Sequence, residues 1–221
     1  LTGCWLLFKK RAGIVTLHFG VILLLFAELI TAFYATEGTM TIAEGEAGSY
    51  VDISRDFELA ISEKDQVGKS EKSITIPLAY LKNIGEWQKL EGVPFQFKVL
   101  QWYNNADVKG RDTNDESFNG LGKEYKLVPV KESSGVEEAR VSLPGLIADF
   151  KSLDDKPLGK YMLSHRMYIE RNPAFEQEIS IGDKSHKLMF RNRRDYLYSK
   201  DSKKPVSIKL IDFRHDTYLG T

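Results

Sequence analysis

Two ionisable side chains, His18 and Glu28, interrupt the otherwise apolar run IVTLHFGVILLLFAELITAF from Ile14 to Phe33. Such a group in hydrocarbon is costly and faces a bundle interior, a cavity or a ligand. A neutral imidazole is a good ligand for iron. His18, four residues past the start of the run, can act as an axial ligand to haem approaching from that side or as an interfacial histidine touching head groups. Glu28 is ten residues further on and about 80° around a helix, so one ligand site does not use both; it reads as a protonated or paired carboxyl within a bundle. The other histidines, His165, His186 and His215, are far apart, and the sequence has no GxSxG, no HExxH and no phosphate-cradling glycine loop. No metal site is expected outside the apolar run. His165 alternates with Tyr161, Leu163 and Met167 on an expected strand, as a core or edge residue. Arg191, Arg193 and Arg194 with Lys187 form a basic stripe beside Phe190, Tyr196 and Tyr198. This stripe is either a receiver of haem propionates or lipid head groups, or a solvated sheet face. The single cysteine, Cys4, precedes the run, so the remainder holds no disulfide and no CxxC for zinc, redox exchange or covalent haem attachment.

The element carrying His18 is expected to be a transmembrane helix over 14–34. About 20 residues at about 1.5 Å rise span the roughly 30 Å of a bilayer's hydrocarbon. Lys9, Lys10 and Arg11 precede it, whereas Glu37, Glu44 and Glu46 follow and no Lys or Arg occurs before Arg55. The positive-inside rule puts the N-terminal flank in the cytoplasm and everything after Tyr34 outside. A cleaved signal peptide fits less well, because its apolar region is shorter and ends in an A-x-A-like site that 32–35 does not supply. Leu1-Thr2-Gly3-Cys4 looks like a lipoprotein box, but WLLFKKR and a full span follow it where a polar tether would belong. Residues 1–13 therefore read as the end of a preceding membrane helix and a cytoplasmic turn, in a piece of something longer.

Residues 35–221 change to short segments with period-2 alternation bounded by Gly, Asn, Asp, Ser and Pro. Strands are expected at 40–42, 57–62, 73–78, 95–103, 125–130, 139–143, 161–168, 188–198 and 206–213. Leu146 to Ser152 and the stretch around Ala79 to Leu90 read as helical or irregular insertions, and Asn104 to Gly122 as a long mobile loop. The fold class is mainly β: one N-terminal transmembrane helix, then a β-sandwich or barrel-like extracytoplasmic domain. Apolar residues make up 42% of the 221, enough for a sizeable core; Lys plus Arg and Asp plus Glu are both 31, so no basic field recruits nucleic acid.

Two stretches carry a likeness. His18 to Val51 (HFGVILLLFAELITAFYATEGTMTIAEGEAGSYV) and Ile208 to Thr221 (IKLIDFRHDTYLGT) resemble the ResB family of cytochrome c biogenesis proteins, the system II route. The matching elements are a His-x-Gly helix start at His18 to Gly20, Glu37-Gly38 and Glu44-Gly45 of the EG-x-(M/L)-T-(I/L)-x-EG strand, and Asp212, Phe213, Arg214, His215, Asp216, Tyr218, Gly220 and Thr221 of DFRHDxYxGT. Between these strings the likeness is limited to elements such as IPLAYL and LGKYMLS. The resemblance implies a multi-pass protein of the bacterial inner membrane with its large domain on the outer side. It works with a CcsA or ResC-type partner to carry haem across the membrane for covalent attachment to apocytochrome c. Such a subunit is at most an accessory to the haem lyase, and haem is its transient cargo. A different class, a membrane-anchored extracellular binding or sensor domain, remains the alternative.

Overall fold

The computed structural model describes residues 12–63, 73–131, 142–170, 172–200 and 204–214. The chain forms two compact units, one ending at Gly38 and one starting at Thr39. The elements in chain order are α1 (Ala12–Tyr34), β1 (Gly38–Thr39), β2 (Ala47–Gly48), β3 (Tyr50–Glu63), β4 (Ser73–Pro77), α2 (Leu78–Leu81), β5 (Gln88–Lys89), β6 (Phe95–Tyr103), β7 (Ala106–Gly110), β8 (Tyr125–Pro129), β9 (Gly145–Ser152), β10 (Pro157–Ser164), α3 (His165–Ile169), β11 (Gln177–Ile181), β12 (Lys184–Tyr196) and β13 (Ile208–Lys209). Helix α1 is apolar on every side: Gly13–Tyr34 has a mean hydropathy of 2.2 and none of it is buried, so it is long and apolar enough to cross a membrane. Leu23, Leu24 and Leu25 are 57%, 63% and 61% exposed, the expected state of a helix whose covering is lipid or other helices.

The second unit is mainly β. In one antiparallel sheet β3 pairs with β4 along one edge and β12 along the other, with β11 beyond β12. The second sheet has the order β10-β9-β6-β5. Period-2 alternation drives both. Phe95, Phe97 and Val99 of β6 and Leu146, Ala148 and Phe150 of β9 point into one core with Leu59, Ile61, Ile179, Leu188 and Phe190 of the first sheet. Trp102 and Phe190 meet edge to face across it, with centroids 5.8 Å apart. Side chains bridge β10 of one sheet to β11 of the other: Tyr161 Oη donates to the Glu178 carbonyl (3.2 Å) and Gln177 Nε2 to the Met162 carbonyl (2.8 Å). A smaller cluster of Ala106, Phe118, Leu127, Met162 and Met167 fills the end of the unit.

Several expectations change. Leu146 to Ser152 is a strand, since Leu146, Ala148 and Phe150 share one face between β6 and β10 and this burial overrides the helix-forming composition. Asn104 to Gly122 is not a mobile loop: it contains β7, which pairs with β8, and the 3-10 turn Gly120–Lys123, and Phe118 is buried. The strand expected to reach Tyr168 ends at Ser164, and His165 opens α3, its N–H donating to the Pro144 carbonyl at 3.0 Å. Met40 to Ile42 is not a strand; both side chains pack on Gly48. The stretch around Ala79 to Leu90 holds α2 and the two-residue β5. Val206 to Phe213 is not part of the main sheet, and only β13 of it pairs, with β2. Of the strand expected at 139–143, residues 142 and 143 are in no strand and the others lie outside the described residues.

Candidate functional site

His18 is exposed on α1, and its Nδ1 lies 2.8 Å from the Ile14 carbonyl one turn back. A carbonyl only accepts, so Nδ1 carries the proton and the lone pair of the neutral ring is on Nε2. A metal-ligating imidazole is arranged in the same way when its other ring N–H is held by a carbonyl. Gly20, two residues on, lies about 160° around the helix from His18, and a Cβ there would meet nothing within 4 Å. Glu28 is also exposed on α1.

The two strings of the resemblance, about 160 residues apart, come together. Ile208 pairs with Gly48 and Lys209 with Ala47, the Gly45 N–H donates to the Leu210 carbonyl (2.8 Å), and the Leu210 N–H donates to the Glu46 carbonyl (3.0 Å). A tight turn precedes this ladder, with the Glu46 N–H donating to the Ala43 carbonyl at 3.0 Å and Gly45 at φ +85° in its third position. That left-handed conformation suits glycine, which gives the second glycine of the EG string a structural reason. Glu37, Gly38 and Glu44 are exposed, Asp212 pairs with Arg214 at 2.7 Å, and Phe213 faces solvent. His215, Asp216, Tyr218, Gly220 and Thr221 lie outside the described residues, as do Leu1 to Phe8, Cys4 and the basic flank Lys9 to Arg11.

The basic stripe of β12 is not a free cationic face. Arg191 is buried against Glu58 at 2.9 Å, and burial pushes the Glu58 carboxyl up despite that partner. Arg193 pairs with Asp56 and Asp195, and Lys187 with Glu176. Arg194 lies 3.4 Å from Asp52, donates to Tyr168 Oη at 2.9 Å and sits over the Tyr50 ring at 4.0 Å. A wide bulge in β3, with Arg55 at φ 63°, makes this packing possible by shifting the register between Asn192 and Arg194.

Arg194, Tyr50 and Tyr168 also line a cavity of about 480 Å³, together with Ser164, Gln177 and Phe190. Ser164 Oγ is buried there without a hydrogen-bond partner among the described residues. Behind it, His165 is 4% exposed, stacks on Tyr168 and packs against Phe57. Burial pushes its imidazole down to about 4, against a hydrogen bond to the Phe190 backbone, and Nδ1 has no partner among the described residues. His165 is thus a core residue, as one of its two sequence readings has it. Reading by sequence missed this cavity, since Tyr50, Ser164, Tyr168 and Gln177 carry no spacing that joins them. Among the described residues no group of three or more His, Cys, Asp or Glu could hold a metal. No protein-family model and no curated protein matches the chain.

Proposed function

We propose that this chain is part of a ResB-like haem-delivery subunit of the bacterial inner membrane, with the flank before α1 in the cytoplasm and the β unit outside. His18 carries the reading. A lipid-facing helix presents an imidazole whose proton is held by a backbone carbonyl and whose Nε2 lone pair is turned away from that bond. Haem is the cargo: its iron takes the imidazole nitrogen as one axial ligand, while a second ligand and the attachment chemistry come from a CcsA or ResC-type partner. The β unit is the scaffold and docking surface for that partner and for apocytochrome c. The ladder joining Glu44–Gly48 to Ile208–Leu210 supports the resemblance, because two strings separated in sequence serve as one structural element.

The test is His18→Ala in the full-length protein purified with its partner. The haem absorbance is expected to fall or vanish, and added imidazole to restore part of it by filling the vacant position. Full retention of haem and of cytochrome c assembly by the variant would sink the proposal. The cavity favours a second reading, a membrane-anchored binding or sensor domain; in that case haem would be absent from the wild-type complex as well.

A further inference from the structure

The ribbon formed by residues 45–49, 196–200 and 204–214 exposes several large apolar side chains. Ile211 is 82%, Phe213 66%, Tyr198 61% and Ile208 55% exposed, and Tyr196 and Val206 add to the patch. The ribbon is held in place: the Leu197 N–H donates to Ser49 O (2.8 Å), Val206 N–H to Leu197 O (3.0 Å), and Ile208 pairs with Gly48. These side chains are carried on one paired ribbon, and a group of large exposed apolar side chains marks a place for a partner or a membrane.

The chain itself bounds what that partner is. Five residues separate Tyr34, the end of α1, from Met40, and the six Cα–Cα steps reach at most about 21 Å. Met40 and Ile42 lie against Gly48, where an added Cβ would sit 3.2 Å from Met40 Sδ and 3.0 Å from Ile42 Cγ1. Gly48 is the ladder partner of Ile208. The length of the intervening chain therefore bounds how far Met40, on which the ribbon packs, can lie from the end of α1. Its charges nearly balance: residues 44–49 and 196–214 together hold five Lys or Arg and four Asp or Glu, and Arg214 is paired with Asp212. Tyrosines flanking aliphatic side chains, with a net charge of only +1, match the head-group boundary of a bilayer better than an anionic surface.

We propose that the Ile208–Phe213 segment docks onto the outer surface of the same bilayer that α1 crosses, through apolar and tyrosine contacts with zwitterionic lipid. The proposal rests on α1 spanning the membrane and is independent of the haem reading. The test uses the full chain with Cys4→Ser, carrying single cysteines Ile208→Cys, Ile211→Cys or Phe213→Cys, or Asp154→Cys as an exposed control. Each is labelled with an environment-sensitive fluorophore and placed one copy per disc in phosphatidylcholine nanodiscs. Labels at 208, 211 and 213 are expected to emit to the blue of the control and to be quenched by brominated phosphatidylcholine, at low and high salt alike. Emission and quenching equal to the control would overturn the proposal. So would a shift seen only with two copies per disc, which marks a dimer surface, or only with anionic lipid. Failure of the chain to enter discs would overturn the membrane reading of α1 and this proposal together. Lipid contact as expected here, beside full retention of haem by His18→Ala in the purified complex, would count against the haem reading alone.

Discussion

At the scale of single residues, burial decides which ionisable groups do chemistry and which hold the fold. Glu58 and Arg191 form an ion pair in which both partners are buried, and Arg191 Nη2 is left without a hydrogen bond among the described residues. Removing the carboxylate strands a guanidinium that cannot deprotonate, whereas removing the arginine leaves a carboxyl that can take a proton. Glu58→Leu is therefore expected to cost about 3–5 kcal/mol in denaturant unfolding and Arg191→Met less. The double variant should recover most of the loss. His165 makes a pH prediction. In the fold it titrates near 4 and unfolded near 6.5, so between these values the unfolded chain binds the extra proton. Its contribution is fully present above pH 6.5 and is lost as the pH falls toward 4, up to about 3 kcal/mol. Unfolding midpoints measured at pH 7.5 and 5 should show this loss, and His165→Phe should flatten that part of the profile.

At the scale of elements, the turn before β2 is the joint between the two strings of the resemblance. Gly45→Ala meets no atom within 4 Å, so its cost is backbone strain alone, about 1 kcal/mol at φ +85°. The expected effect is local: faster hydrogen exchange at the amides of Gly45 and Leu210, with the amides of β6 and β9 unchanged. Equal protection throughout would show that the turn does not hold the β2–β13 ladder. The same logic explains β9. Its composition suits a helix, but a central place between β6 and β10 buries three side chains on one face, and that burial outweighs propensity.

At the scale of the whole molecule, α1 dictates the setting. An arginine at its centre, Leu24→Arg, should cost about 2.5–3.5 kcal/mol of insertion and move protein from the carbonate-resistant membrane fraction into the extract. In the Cys4→Ser background, the proposed topology, with the β unit on the outer side, has Asp154→Cys in intact cells react with a membrane-impermeant maleimide. A residue reactive only after lysis would reverse the assigned topology.

The long apolar helix, the mainly β class and strand β6 were legible from the chain alone, because continuous apolarity and period-2 alternation are local properties of the sequence. Most of the candidate site was not. The stripe of Arg191, Arg193 and Arg194 reads as a cationic face in sequence, and only the pairing of β12 with the bulged β3 brings Glu58, Asp56 and Asp52 up to neutralise it. The cavity at Ser164 and Gln177, and the ladder between Glu46 and Leu210, likewise unite residues far apart in the chain. Contacts of that kind depend on sheet register and on which buried groups find partners, and no local pattern encodes either.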